Sequence, residues 1–153
     1  MGHVVHGIHI DAPPERVFDL TVDAARLPEY MTNISEVKDV SGPLDRIGAS
    51  YTGVMKIIGR RLEGHWEVVR VEKPAYVELL GTAPGGGRAT FITRNEPKDG
   101  GTDRTVELDY ELPAGFAGEL ADKLFVEKAI ERDTRHSMEN LKAICEAKVP
   151  APV

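Results

Sequence analysis

The first third of the chain changes its hydrophobic period twice. The segment "HVVHGIHI" (3–10) alternates loosely between apolar and polar residues, which predicts a first β-strand. The alternation then stops, and Pro13 and Pro14 favour the first turn of a short helix, while Asp23 favours the N-cap of a second one. Pro28 falls inside that second helix, which we therefore expect to be brief or irregular.

Six further segments have the spacing of strands and are followed by one long helical segment. Short turn signals such as "EKPA" and "APGGG" separate the strands, and connections this short join antiparallel neighbours. The predicted strands cover residues 34–41, 49–58, 60–72, 75–82, 88–96 and 103–112. The final segment, about 117–147, has no glycine or proline after Gly118 and predicts one helix. The apolar stripe of this helix consists of Val126, Ile130, Thr134, Met138, Leu141 and Cys145.

These elements predict an α+β fold with a single domain. A curved, seven-stranded antiparallel sheet would wrap around the long C-terminal helix, and two short helices would follow strand one. We expect the domain to span residues 1–147 and a flexible tail to occupy 148–153. Because a curved sheet is wider than one helix, a space for a small ligand is expected between them.

Composition and charge narrow the classes of partner. The chain has 153 residues and a net charge of −6 without a basic block, which argues against a nucleic-acid partner. No apolar run approaches the roughly 20 residues that cross a bilayer, and the N-terminus lacks a signal-peptide pattern, so no stable membrane insertion is expected. The single cysteine, Cys145, excludes an intrachain disulfide and favours a reducing, cytoplasmic location. A homodimer and a monomer both stay open.

Alternation along the predicted strands identifies the side chains that would face the helix. In "TVELDYEL" the acidic residues share one face, so Val106, Leu108 and Tyr110 should face inward. The same reasoning places several polar groups, His6 and Thr93 among them, on a mostly apolar inner surface, where each needs a partner or a ligand. The predicted ligand-binding residues are Tyr51, Met55, Trp66, Phe91, Thr93, Leu108, Leu124 and Met138.

An arginine stands at the end of one inward-facing set. In "LEGHWEVVR", strict alternation places Arg70 on the same face as Trp66 and Val68. One interpretation is that Arg70 pairs with a carboxylate at the rim or extends to water. The other is that its guanidinium faces the cavity and anchors or polarises a ligand oxygen. In a catalytic site, Arg70 would hold an enolate oxygen, and His6 or Tyr110 would act as base or acid.

The sequence offers no metal site and no cofactor motif. His3, His6 and His9 are spaced so that His3 and His9 share one face of a strand while His6 opposes them, and three ligands therefore do not converge. Cys145 lies on the apolar stripe of the last helix, which predicts a buried thiol and not a nucleophile.

The segment "IHIDAPPERVFDLTVDAARLPEYM" resembles the opening of START-related, birch-pollen-allergen-like helix-grip proteins (SRPBCC), of the polyketide cyclase/dehydrase or lipid-transport type. The matching positions are Ile8, Ile10, Ala12, Pro13, Glu15, Val17, Phe18, Asp23, Leu27 and Pro28. The resemblance implies the helix-grip fold, in members that include sterol and quinone carriers, hormone receptors and aromatase/cyclases. Some of these cyclases have a cavity arginine late in the strand that corresponds to 60–72, and the resemblance therefore implies a cavity position for Arg70. The tyrosine that some of them carry after the second small helix is absent, and Ile34 stands near that place.

Three functions follow from these observations. We favour a module that binds a hydrophobic small molecule, such as a lipid, quinone or polyketide, in an internal cavity. The alternative is a polyketide aromatase/cyclase or dehydratase that acts on a poly-β-ketone in the same cavity. A third is an interaction protein that uses Leu27, Tyr30 and Met31 to contact a membrane or a partner protein, although these residues also fit one edge of the cavity mouth.

Overall fold

The computed structural model describes residues 2–114 and 123–147, and its elements follow the predicted order. The strands are β1 (Gly2–Ile10), β2 (Ile34–Lys38), β3 (Ser50–Ile57), β4 (Arg60–Glu72), β5 (Tyr76–Ala83), β6 (Gly87–Lys98) and β7 (Gly101–Glu111). The helices are α1 (Pro14–Thr21), a 3₁₀ helix (Ala24–Glu29) and the long α2 (Lys123–Glu146). The predicted helix start at 117–122 and the predicted tail at 148–153 lie outside the described residues.

All the strands form one antiparallel sheet. The order of its seven strands is β1-β7-β6-β5-β4-β3-β2, so the strands from β2 to β7 form a meander and β1 closes against the last of them. The sheet curls around α2, which packs against β1 and contributes Leu141 and Cys145 to the main core. The predicted α+β helix-grip architecture is confirmed. Within the described ranges, no helix has the length and apolar content that a bilayer crossing requires.

The two small helices form for the reasons that their prolines predict. α1 begins at Pro14, directly after the extended Pro13, and it buries Val17 and Phe18 completely. The 3₁₀ helix contains Pro28 and is only 6 residues long. Asp23 does occupy its N-cap position, but the side chain makes no capping hydrogen bond, so the predicted reason for the start of this helix is wrong.

Hydrogen bonds at both sides of the sheet hold α2 in place over its inner face. Near the helix C-terminus, Lys142 donates to the carbonyl of His9 over 2.8 Å. The N–H of Asp11 donates to the carboxylate of Glu146 over 2.7 Å, directly after β1. On the other side, the N–H of Thr32 donates to the Ser137 hydroxyl over 3.0 Å. The helix is thereby tied to β1 and to the loop that follows the 3₁₀ helix.

A β-bulge interrupts the alternation of β4. Val68 lies opposite Leu79 and Arg70 lies opposite Glu78, so Val69 is one residue more than the partner strand provides. Because successive side chains alternate between faces, the extra residue moves every later side chain of β4 to the face opposite from the predicted one.

The bulge turns Arg70 onto the outer face of the sheet. There its guanidinium donates to Glu72 over 3.1 Å and lies 4.7 Å from the centre of the Tyr76 ring. Val71 takes the inward position and packs against the core. The prediction that Arg70 faces the cavity is therefore wrong, and the interpretation with a carboxylate partner describes its contacts.

Candidate functional site

A cavity of about 170 Å³ lies between the inner face of the sheet and α2. An apolar protein cavity of roughly 150 Å³ is already large enough to bind an aromatic ring, so this space can receive the apolar part of a small ligand. The walls are mostly apolar and come from the 3₁₀ helix region, strands β3 to β7 and α2, with Leu27, Leu79, Val106 and Leu141 as examples. A concave, apolar space with a few polar groups is the usual form of a small-molecule site.

All the predicted ligand contacts except one line this cavity. Those that do are Tyr51, Met55, Trp66, Phe91, Thr93, Leu108 and Met138. Leu124 does not, and 61% of it is exposed. It precedes the buried Val126 by two positions, or about 200° of helical rotation, and therefore points away from the stripe that faces the sheet. The prediction that Leu124 contacts a ligand does not agree with this position.

The three predicted catalytic residues do not come together. Tyr110 lines the cavity, and burial raises the pKa of its hydroxyl to about 12, so the group is protonated at neutral pH. His6 is half buried on β1 opposite Val106, and it is not among the described residues that line the cavity. Arg70 lies on the outer face.

Leu27, Tyr30 and Met31, which could have formed an exposed contact surface, line the cavity instead. Tyr30 is 4% exposed, and burial raises its pKa well above the usual range. Tyr51 is buried in the same way, with a raised pKa. Both hydroxyls are therefore neutral and able to donate a hydrogen bond.

One row of residues across the sheet consists of aromatic side chains and of the small residues that lie beside them. Neighbouring strands pair its members directly, and the row reads Tyr51, Trp66, Gly81, Ala89, Tyr110 and Gly2. The Trp66 indole covers Gly81, where an added Cβ atom would come within 2.7 Å of a ring carbon. Phe91 meets the indole edge-on, with the ring centres 6.4 Å apart. The indole thus forms part of the cavity wall instead of filling the cavity.

A buried arginine that the sequence reasoning missed lies at the other end of β7. Arg104 lines the cavity and is only 5% exposed. Its Nη1 donates to the side-chain oxygen of Asn95 over 2.9 Å, and the Asn95 amide nitrogen donates to the carbonyl of Pro74 over 3.0 Å. Arg104 is separated by an even number of residues from Val106, Leu108 and Tyr110 and therefore shares their face of β7. Alternation extended to the start of this strand could have identified it.

The Arg104 guanidinium is incompletely satisfied. Its Nε is buried and has no hydrogen-bond partner, and among the residues that the structure describes no carboxylate forms an ion pair with it. Burial lowers the pKa of this group, which still carries its charge at neutral pH. The other buried side-chain atoms without a partner in the described chain, Asn33 Oδ1 and Trp66 Nε1, also belong to residues that line the cavity.

Two histidines of β1, His3 and His9, form hydrogen bonds with carboxylates on the outer face of the sheet. His9 Nδ1 lies 2.7 Å from a carboxylate oxygen of Asp103, and His3 bonds Asp109 in the same way. These hydrogen bonds raise the pKa of each imidazole. His3, Glu107 and Asp109 place one potential ligand atom each within 4.8 Å of the others, but His3 bonds Asp109 and Glu107 accepts from Arg94, so these contacts account for the cluster.

Cys145 is a free thiol with 2% exposure in the main core. Burial raises its pKa, so the thiol is the neutral form at physiological pH. It is not among the described residues that line the cavity, as expected for a structural side chain.

Comparison with family models identifies the chain. Residues 1–146 match the model described as polyketide cyclase / dehydrase and lipid transport. The chain belongs to this family. The family match and the folds of the similar structures confirm the resemblance to START-related helix-grip proteins. No curated protein matches the chain.

Solved structures with similar folds include members with and without a named activity. TTHA0849 from Thermus thermophilus is 22% identical, with a TM-score of 0.75, and the match covers 92% of this chain and 94% of that one. The ZhuI aromatase/cyclase from Streptomyces sp. R1128 is 16% identical, with a TM-score of 0.77 and coverage of 97% and 96%. The di-domain aromatase/cyclase BexL is 20% identical with a TM-score of 0.77, and the match covers 96% of this chain and 50% of BexL. At these identities the similarity shows only that the chain shares the fold of these proteins.

Proposed function

We propose that this protein binds a hydrophobic small molecule, of lipid, quinone or polyketide type, in the cavity between the sheet and α2. The observation that carries the proposal is the cavity of about 170 Å³ with its apolar wall and few polar groups. Membership in a polyketide cyclase/dehydrase and lipid transport family supports it. A cytoplasmic site of action stays a prediction from the single cysteine.

The titratable groups of the cavity favour binding over catalysis. Proton abstraction next to a carbonyl needs a base within hydrogen-bond reach. Among the described lining residues there is no histidine, and the buried tyrosines have raised pKa values. The one carboxylate in this set, Glu111, accepts a hydrogen bond from Arg88 over 2.8 Å. No group in this part of the chain is therefore set up as a general base.

A polyketide aromatase/cyclase or dehydratase is the second candidate function. The buried Arg104 and the neutral hydroxyls of Tyr30 and Tyr51 are donors of the kind that stabilise an enolate oxygen. Two of the structures with a similar fold are named aromatase/cyclases. Incubation with a reactive poly-β-ketone tests this function, because a catalyst must change the distribution of cyclised products.

The binding function is tested with a neutral, apolar fluorescent probe, N-phenyl-1-naphthylamine. Saturable binding is expected, and a bulky side chain in the cavity should weaken it. Ala89 lines the cavity, whereas the next residue, Thr90, points to the opposite face of β6. Ala89→Leu should therefore reduce probe affinity at least several-fold, while the matched control Thr90→Leu should not. Equal affinity in both variants, or no saturable binding to the unmodified protein, would contradict the proposal.

A further inference from the structure

We propose that the ligand of this cavity is an amphipathic acid whose carboxylate pairs with Arg104 while its apolar body lies along the sheet. The inference rests on the proposed binding function and names the chemical class of the ligand. It follows from the position of Arg104, from its incomplete hydrogen bonding and from the shape of the surface beside it.

A buried cation without a counter-charge is costly. A charge that has no partner in a protein interior is strongly destabilising, and so is the removal of one partner of a buried pair. Arg104 is 5% exposed and has no carboxylate partner among the described residues. The neighbouring groups do not supply an anion, because burial raises the pKa values of the Tyr30 hydroxyl and the Cys145 thiol and keeps both neutral. An anionic ligand would provide the missing charge.

The guanidinium is also held in a fixed orientation. Asn95 accepts from Nη1, and its own amide group is fixed by a hydrogen bond to the carbonyl of Pro74. This support leaves Nε as a donor without a partner on a residue that lines the cavity. Arginine presents its N–H groups as a planar fork that fits a carboxylate, which makes this the ligand group that best complements it.

The surface beside Arg104 fits the rest of such a molecule. Along β7 the inward residues after Arg104 are Val106, Leu108 and Tyr110, and all of them line the cavity. At roughly 3.3 Å per residue, the six positions from Arg104 to Tyr110 span about 20 Å. Phe91 on the neighbouring strand β6 lies at the level of Leu108, and Trp66, three strands away on β4, lies at the level of Tyr110. When the carboxylate of a ligand binds Arg104, its apolar body would thus lie along an apolar and aromatic surface.

Two acid–alcohol pairs test the inference by titration calorimetry. The pairs are decanoate with decan-1-ol and 2-naphthoate with naphthalene-2-methanol, which separate a fatty from an aromatic body. Since charge-assisted hydrogen bonds contribute about 1.5–3 kcal/mol, the preferred acid should bind about 10- to 100-fold more tightly than its alcohol. Arg104→Met should remove this preference while leaving the alcohol affinity unchanged or higher. Arg61→Met removes an exposed cation of the outer face and serves as the charge control.

The outcomes distinguish the binding function from the inference that the ligand is an acid. An acid preference in the unmodified protein that is lost in Arg104→Met and kept in Arg61→Met supports the inference. Equal binding of acid and alcohol to the unmodified protein overturns it and leaves the binding function standing, and this comparison needs no variant to fold. Failure of all four probes to bind overturns both. Arg104→Met removes an uncompensated charge but leaves the buried Asn95 oxygen without its donor, so a modest fall in melting temperature is expected while the protein stays folded under the conditions of the titration.

Discussion

Replacement of Gly81 by alanine tests the packing on which the open cavity depends. An added Cβ atom would lie 2.7, 2.8 and 2.9 Å from three carbons of the Trp66 ring, closer than Cβ atoms come in real structures. Gly81 lies in a central strand that pairs with Trp66 on one side and Ala89 on the other, so its backbone has little freedom to retreat. We expect the indole to rise from the sheet into the cavity.

The magnitude follows from two opposing effects. Forcing additional atoms into a packed site costs about 1–3 kcal/mol, whereas replacing a strand glycine by alanine returns about 0.5–1 kcal/mol of backbone entropy. A net loss of up to about 2.5 kcal/mol is therefore expected for Gly81→Ala, and about 1 kcal/mol lies in the middle of that range. For a chain of this size each kcal/mol lowers the melting temperature by about 2–4 °C.

The chain has one tryptophan, so the same variant can be followed by intrinsic fluorescence. The emission of Trp66 should change in Gly81→Ala, and N-phenyl-1-naphthylamine should bind more weakly. Gly7→Ala is the matched control, because a Cβ atom there would come no closer than 3.8 Å to any neighbour. In a Trp66→Phe background the cost of Gly81→Ala should shrink, since the smaller ring leaves room. An unchanged emission spectrum, melting temperature and probe affinity in Gly81→Ala would refute this account.

Two further variants test the contacts at the ends of the sheet. The hydrogen bond to Asp103 raises the pKa of His9 above its usual 6.5, so the stabilisation is complete below pH 6.5 and is lost as the pH rises through the folded-state value. The melting-temperature difference between the unmodified protein and His9→Gln should therefore be larger at pH 5.5 than at pH 9, and a constant difference would contradict this. Asn95→Leu removes the partner of Arg104 Nη1 and should cost about 1–3 kcal/mol in denaturant unfolding. That cost should be smaller in an Arg104→Met background, and equal costs would show that the two side chains are not coupled.

The alternation of apolar and polar residues was sufficient to predict most of the inner surface. It placed Tyr51, Phe91, Leu108 and others on the cavity wall because these strands keep a strict two-residue period. The same rule also places Arg104 on the inner face, two residues before Val106, which is the first residue of β7 named as inward-facing above. The sequence alone can predict the inward position of Arg104. It cannot predict the hydrogen bond to Asn95, because that bond depends on the register between two strands.

The position of Arg70 could not be predicted by the same rule. A bulge adds a residue without changing the apolar or polar character of the segment, and "WEVVRVE" is compatible with either face for its last residues. The two adjacent valines, Val68 and Val69, are the one local sign that the period is interrupted. Leu124 was misplaced for a different reason, since it is apolar but lies outside the helical stripe of Val126.

The extra residue in β4 offsets the alternation of its side chains by one position. Side chains before Val69 lie on the face that strict alternation predicts, and side chains after it lie on the opposite face. Arg70 is therefore outside and Val71 inside. Deletion of Val69 would leave Arg70 opposite Glu78 and outside, whereas pairing of the unchanged sequence without the bulge would turn Arg70 toward the ligand and Val71 away from it. A strand of this sequence and length that paired without the bulge would thus present a cation to the ligand where this chain presents a valine.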